Sequence, residues 1–295
     1  MVEENKAYLG LIHQVFGDTA FIESQLHGGM MNEAFVINNN GKKYVMYFPV
    51  GESNKMVDRK QELEAQALCQ KAGITRGCVH FNPVFGIKAF QFIEGDSIDH
   101  IQEAEIDYDK VADLLIKLHE LPTDGFLPYN AHDRFNVFAS ELYEFDKFCA
   151  KPFFETAQLV EKKIIEYSSK YVALCHNDAQ RSNIIRDSNG NYFIIDFEFA
   201  MLNDPVYDIA AYGNGTVAEG LKLLEVYNKK KPLGDDYKIR YAVWRMYISM
   251  QWYVVAMLKH YRGEGELTHF NFVEVANFFL ANMNDARKLY DVLVK

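Results

Sequence analysis

The sequence has no long basic run and carries more acidic than basic residues. Its 295 residues include 31 Lys and Arg against 41 Asp and Glu, which gives a formal net charge of −10. A nucleic-acid-binding protein needs a positive surface to displace counterions from phosphates. The charge balance therefore argues against a nucleic-acid partner. It remains compatible with a nucleotide bound by local backbone amides and a metal ion, and with a cationic small-molecule substrate.

The sequence also lacks recognisable targeting segments and cysteine motifs. The first residues, MVEENKAYLG, lack the apolar centre of a signal peptide, and no apolar run reaches membrane-spanning length. Cys69, Cys78, Cys149 and Cys175 are scattered without CxxC spacing. This spacing indicates buried free thiols rather than a zinc site. We therefore expect a cytoplasmic protein without membrane insertion.

The first third of the chain has the pattern of strands around one helix. Residues 25–38 and 42–50 predict a hairpin, because the turn-favouring segment Asn-Asn-Asn-Gly connects them. Residues 55–72 have helix-forming composition and end before a glycine. Residues 84–93 predict two short strands, and 94–97 are interpreted as a linker.

Helical spacing dominates the rest of the chain. The predicted helices are 111–118, 153–167, 217–228 and 239–261, and short β segments are predicted at 172–175, 183–186 and 192–195. We therefore predict an α+β, bilobal fold, with a small β-rich lobe over 1–93 and a larger, mostly helical lobe over 94–295. A cleft between two such lobes can close over a nucleotide.

Acidic and amide side chains are concentrated in two short stretches, HNDAQRSN at 176–183 and IIDFE at 194–198. Phosphoryl transfer to an alcohol needs a carboxylate that accepts the hydroxyl proton, and oxygen ligands for Mg²⁺. Asp178 supplies such a base, while Asn183 and Asp196 supply oxygen ligands. Each residue alone also suits a turn or a cap. The ordered set predicts a phosphoryl-transfer site.

These stretches resemble a known family. HNDAQRSNII, IIDFEFA and NDPVYDI, the last at 203–209, are similar to motifs of choline and ethanolamine kinases and, more distantly, of aminoglycoside phosphotransferases. The resemblance is strong over 174–211, fair over 26–62 and loose elsewhere. It implies a bilobal protein-kinase-like fold with a β-rich N-lobe and a helical C-lobe, ATP and Mg²⁺ as cofactors, and an alcohol as the phosphoryl acceptor.

The resemblance also implies roles for single residues. Asp178 would be the catalytic base, Asn183 and Asp196 would hold Mg²⁺ and complete the catalytic set, and Gln180 and Glu198 would contribute, with Asp178, to the substrate site. His176 and Asp208 would have structural roles, ordering and bracing the catalytic loop. The residues expected to contact the nucleotide are Gly28, Gly29 and Asn32 in a phosphate-covering loop, Glu62 on a helix, and Gln91 and Ile93 in an adenine-contacting hinge.

Two positions depart from the family pattern. Tyr47 stands where the family has Lys or Arg, a cation that grips phosphates and pairs with the Glu aligned to Glu62. Lys43 is too far along the strand to substitute for it, so we expect Arg59, one helical turn before Glu62, to be the better substitute. Met31 stands where the family has Ser or Thr. Both departures affect phosphate binding, so we expect weak ATP use or an altered nucleotide preference.

Residues 244–253 carry both tryptophans of the chain. A quaternary ammonium needs aromatic faces, each worth about 0.5–2 kcal/mol. Trp244 and Trp252 are therefore predicted to line the substrate pocket, with core packing as the alternative for each ring. Our leading hypothesis is a kinase for choline or a related amino alcohol. The alternatives are an aminoglycoside or sugar phosphotransferase, and a nucleotide-binding kinase-like protein with impaired catalysis. A homodimer is left open.

Overall fold

The computed structural model describes residues 4–26, 31–51, 53–265 and 271–295. The chain divides into two units. The first unit comprises Met1–Asp96 and Ile185–Glu198, and the second comprises Ser97–Ile184 and Phe199–Lys295. The first unit therefore includes a short segment from the middle of the chain, and that segment ends in the predicted metal-binding stretch.

An antiparallel sheet forms most of the first unit. Its described strands, in the spatial order β1-β2-β3-β5-β4, are β1 (Phe21–Leu26), β2 (Asn32–Asn39), β3 (Lys42–Pro49), β4 (Cys78–Phe81) and β5 (Lys88–Gln91). The predicted hairpin is confirmed as the β2–β3 pair. Asn40 and Gly41 both have positive φ, as the commonest two-residue hairpin turn requires.

The expected pair of strands over 84–93 is wrong in part, whereas the segment interpreted as a linker, 94–97, contains the boundary between the two units. Within residues 84–93, all of which are described, one strand forms instead of two, and its partner β4 lies earlier in the chain. The segment interpreted as a linker contains strand β6 (Gly95–Ser97), which joins a second sheet with strands β8 (Ile184–Asp187) and β9 (Tyr192–Ile194). Glycine is needed in β6 because a Cβ on Gly95 would lie 2.3 Å from the carbonyl oxygen of Arg186.

Two helices lie in the described part of the first unit. Helix α1 (Glu4–Phe16), which was not predicted, buries Ile12 against apolar side chains of the sheet such as Phe35 and Met46. Helix α2 (Arg59–Lys71) confirms the predicted helix, although its first predicted residues form a separate short 3₁₀ turn. It begins after Asp58, whose carboxylate accepts hydrogen bonds from the backbone N–H groups of Lys60 and Gln61.

The second unit is mostly helical, which confirms the α+β prediction. Its described helices are α3 (Tyr108–His119), α4 (Ala131–Phe145), α5 (Phe154–Lys170), α6 (Pro205–Tyr212), α7 (Val217–Lys230), α8 (Tyr237–Tyr261) and α9 (Phe272–Leu293). Helices α3, α5, α7 and α8 were predicted. Strands β7 (Ala173–Cys175) and β10 (Met201–Asn203) pair beside the predicted catalytic loop.

Helix α8 forms the centre of the second unit. Most of its side chains are buried around the whole circumference, and α9 packs along it. A helix that is buried on all sides belongs in the interior of its unit, where its polar side chains need hydrogen-bond partners. Among the helices in the described part of the chain, none combines the length and hydropathy needed to cross a membrane.

Candidate active site

A buried lysine lies at the centre of an acidic cluster in the first unit. Lys88, on β5, has no exposed side-chain surface. Its ammonium donates hydrogen bonds to Glu62 Oε1 at 2.5 Å, Asp196 Oδ1 at 2.8 Å and Glu198 Oε2 at 3.4 Å. Burial alone would lower the pKa of Lys88, but the three carboxylates outweigh it and raise that pKa well above its ordinary value. Lys88 is therefore charged in this cluster.

Helix α2 presents two charged side chains to the same cluster. Glu62, in the first turn of the helix, accepts a hydrogen bond from Arg59 Nη1 at 2.5 Å in addition to the one from Lys88. Arg59 also donates to Asn54 Oδ1 at 2.9 Å. Arg59 was the expected substitute for the cation missing at Tyr47. Lys88 was not predicted as a site residue. One signal for it is present in the sequence, because a lysine flanked by apolar residues in a predicted strand is unusual.

Glu198 is a buried carboxylate whose ionisation is strongly perturbed. Its side chain is 5% exposed and accepts a hydrogen bond from Asn32 Nδ2 at 3.0 Å. Burial, followed by the negative charge of Asp196, raises the pKa of Glu198 to about 7 despite the lowering effect of Lys88. One oxygen each of Glu62, Asp196 and Glu198 lies within 4.8 Å of the others. These carboxylates outnumber the cations Lys88 and Arg59, so the cluster can accommodate further positive charge.

The raised pKa of Glu198 predicts a pH-dependent stability change. A carboxyl whose pKa is higher in the folded than in the unfolded chain destabilises the fold as pH rises between the two values. When the pH is raised from about 5 to about 8, we expect the wild type to lose about 2–3 kcal/mol more of its unfolding free energy than Glu198→Gln loses. Denaturant unfolding with a chelator present measures the difference. Glu64→Gln, at an exposed position of α2, is the matched control, and an equal offset for Glu198→Gln at both pH values would refute the assignment.

The predicted catalytic loop lies in the second unit, directly after β7. The Asp178 carboxylate is half-buried and accepts hydrogen bonds from Asn183 Nδ2 at 3.0 Å and Gln180 Nε2 at 3.2 Å. Asn183 Nδ2 also donates to the Asp178 carbonyl oxygen at 2.9 Å. These two amide contacts help to fix the orientation of the carboxylate. Such a group can accept a proton from a nearby hydroxyl.

Asp208, on α6, holds the backbone at the start of this loop. Its buried carboxylate accepts hydrogen bonds from the backbone N–H groups of His176 and Asn177, each at 2.7 Å. His119 Nε2 lies 3.0 Å from the same carboxylate, and its Nδ1 lies 2.9 Å from the hydroxyl of Tyr227. These contacts link the loop to helices α3 and α7. His119 and Tyr227 were not singled out in the sequence.

The two tryptophans of α8 are both buried. Trp244 has no exposed surface, and its indole N–H donates to Asp204 Oδ2 at 2.9 Å. Trp252 is 8% exposed and stacks against Phe279 with 6.3 Å between ring centroids. These contacts give both rings a place in the core of the second unit. Their contact with substrate stays a prediction.

The remaining nucleotide-binding predictions fall on the first unit. Gly28 and Gly29 lie outside the described residues. Gln91 and Ile93 line a cavity of about 500 Å³ whose wall also carries charged side chains such as Arg76 and Asp187. Met31 is buried, and its carbonyl oxygen accepts a hydrogen bond from the Val50 backbone at 3.1 Å. The adenine-contacting role of the hinge stays a prediction.

Comparison with solved structures defines the class of fold. Choline kinase LicA from Streptococcus pneumoniae aligns with a TM-score of 0.71 and 20% identity, covering 98% of this chain and 99% of that chain. A thermostable variant of aminoglycoside phosphotransferase APH(4)-Ia, in complex with ADP and hygromycin B, aligns with a TM-score of 0.69 and 13% identity, covering 96% and 98%. At these identities the similarity shows the fold, and it confirms the predicted kinase-like fold.

The sequence narrows this class to one family. The family model for choline/ethanolamine kinases matches residues 24–279. The chain therefore belongs to the choline/ethanolamine kinase family. Protein LicA from Haemophilus influenzae is 25% identical over 191 residues, which cover 62% of this chain and 55% of that relative. This chain thus matches little more than half the length of that relative.

Proposed function

We propose that the protein is a kinase that uses ATP and Mg²⁺ to phosphorylate the hydroxyl of choline or a related amino alcohol. The observation that carries this proposal is the Asp178 carboxylate, which accepts hydrogen bonds from the amides of Asn183 and Gln180 at the predicted catalytic loop. Membership of the choline/ethanolamine kinase family supports the same reaction. The proposal keeps a β-rich nucleotide-binding lobe at 1–93 and a helical catalytic lobe at 94–295.

In the proposed reaction the chain positions the acceptor and removes its proton. Asp178 accepts the hydroxyl proton as the oxygen attacks the γ-phosphorus, and the bond to the β-phosphate oxygen breaks to release ADP. Asp196 and Asn183 are the proposed ligands of Mg²⁺, and the oxygen-rich set around Asp196 suits this hard cation. When bound, the metal ion supplies positive charge against the phosphate oxygens.

The proposed acceptor is a small amino alcohol. Aromatic side chains of the second unit already contact one cation, because the guanidinium of Arg134 lies 4.9 Å from the ring centroid of Tyr129 and 5.1 Å from that of Phe199. The indole N–H of Trp244 already donates a hydrogen bond to Asp204. A primary ammonium can donate hydrogen bonds and depends less on a complete aromatic cage than a quaternary one. Both choline and ethanolamine therefore belong in the test.

The proposed cellular setting follows from composition. The four cysteines are unpaired, as expected of a reducing compartment, and we propose that the protein acts in the cytoplasm. The net charge of −10 supports a small-molecule partner rather than a nucleic acid. Self-association as a homodimer stays a prediction.

A substrate panel tests the proposal. ADP release with Mg-ATP is measured for choline, ethanolamine, aminoglycosides and sugars, each with and without a chelator. We expect turnover with an amino alcohol that stops when the metal is removed. Turnover with aminoglycosides or sugars alone would assign the chain to the alternative acceptor class. ATP binding without turnover on any alcohol would favour a protein with impaired catalysis.

A further inference from the structure

On β3, the position of the family's phosphate-binding cation holds an uncharged side chain. In kinase-like folds a lysine on this strand pairs with a helix glutamate and grips the phosphates. Here the position holds Tyr47, whose pKa is raised by burial and by the charge of Asp196, so the phenol stays neutral. Without a cation, the first unit would have no charge at this point to offset those of the phosphates.

The register of the sheet places Lys88 directly beside that position. β3 and β5 are antiparallel, and Tyr47 faces Lys88 across the pair. Side chains directly opposite each other in an antiparallel pair point to the same face and lie about 4.5–5.5 Å apart at Cβ. The ammonium of Lys88 is 5.4 Å from the centroid of the Tyr47 ring. The cation at position 88 of β5 therefore lies on the same face of the sheet as a cation at position 47 of β3 would.

The partners of Lys88 are those that a phosphate-binding lysine requires. Its hydrogen bond with Glu62 is a strand-lysine to helix-glutamate pair. Its bond with Asp196 joins it to the proposed metal ligand, whose side chain is 20% exposed, whereas the other two carboxylates are nearly inaccessible. Asp196 is thus the partner that an incoming anion can replace. Arg59, the other cation, donates to Glu62 through Nη1 and to Asn54 through Nε, and its buried Nη2 has no hydrogen-bond partner among the described residues. The ion pair with Asp196, however, is made by Lys88.

We propose that Lys88 has taken over the phosphate-binding role of the absent β3 cation. On nucleotide binding its ammonium keeps Glu62 and exchanges the Asp196 carboxylate for a phosphate oxygen, which leaves Asp196 free for other contacts. This inference rests on the proposed function. It replaces the expectation that Tyr47 weakens ATP use, because the charge is present on the adjacent strand.

The test compares the binding of phosphate-bearing and phosphate-free nucleotides. Dissociation constants for ATP, ADP and adenosine are measured by calorimetry for the wild type, Lys88→Met and Lys60→Met. Lys88→Met is expected to weaken ATP and ADP about 10-fold to 100-fold, the range for loss of a charged hydrogen bond, and to leave adenosine unchanged. Lys60→Met, at a position of α2 that is 81% exposed, is expected to change none of the three.

A second variant tests whether the charge has moved between strands. In Tyr47→Lys combined with Lys88→Met, the ammonium returns to β3 on the same face, and ATP affinity is expected to recover by about 10-fold or more over Lys88→Met alone. This double variant also keeps one cation among the carboxylates, so it provides a folded protein even if Lys88→Met alone unfolds.

The outcomes separate this inference from the proposed function. If the wild type binds ATP more tightly than adenosine and Lys88→Met does so equally well, the role of Lys88 is refuted and the kinase proposal stands. An equal loss of ATP and adenosine affinity would make Lys88 purely structural. A wild type that binds ATP no better than adenosine would overturn both.

Discussion

Replacing Asp178 with asparagine is expected to reduce turnover by about 10²-fold to 10⁴-fold while leaving ATP affinity within about twofold of the wild type. Asparagine has nearly the same shape as aspartate but cannot accept the hydroxyl proton. The side chain is half-buried and its hydrogen-bond donors, Asn183 and Gln180, are neutral amides. Both amides donate to one carboxylate oxygen, and asparagine keeps an oxygen that can accept these bonds, so the stability change is expected to be small.

Steady-state kinetics with the best acceptor of the panel measures the effect, and calorimetric ATP binding measures the retained affinity. Asp113→Asn is the matched control, because this aspartate is exposed on α3 and bonds a surface lysine. Its turnover is expected to equal that of the wild type. If Asp178→Asn kept more than about a tenth of wild-type turnover, another group would have to take the proton.

Local sequence signals predicted much of the backbone. The hairpin of β2 and β3 followed from a turn whose residues adopt positive φ, and helices α3, α5, α7 and α8 followed from apolar spacing. Helix α6 was missed because it spans only eight residues, Pro205–Tyr212, too few to show a period. Strand β6 was missed because Gly95 carries no strand signal and is selected by a close approach to Arg186, which is distant in sequence.

The candidate site was less predictable than the backbone around it. The residues of the catalytic loop are adjacent in sequence, so their motif could be read directly. Lys88 and Tyr47 are 41 positions apart, and only the register of β3 against β5 brings them together. Register is a tertiary property that depends on packing and turn geometry. Matching β3 to the family pattern position by position therefore identifies Tyr47, but it does not identify the adjacent Lys88.

The second large effect is expected at Asp208. Its carboxylate has no exposed surface and accepts hydrogen bonds from the backbone of His176 and Asn177, with His119 as a third partner. In Asp208→Asn an amide N–H₂ replaces one of the two oxygens, so a donor must face a donor. A buried donor left without an acceptor costs about 1–3 kcal/mol, and more when a charge is also lost. We expect about 3 kcal/mol of destabilisation and a displaced catalytic loop.

Asp204→Asn is the control that distinguishes loss of the loop contacts from loss of a buried carboxylate. Asp204 is equally buried at the start of the same helix, but its carboxylate bonds Arg240 and Trp244 instead of the loop backbone. Both variants are expected to lower the unfolding free energy, measured by denaturant titration. At saturating acceptor, and per folded molecule, only Asp208→Asn is expected to lower kcat, by about 10-fold or more, because a small misplacement of a catalytic group is enough for such a loss. Equal kcat in the two variants would mean that Asp208 stabilises the second unit without positioning Asp178.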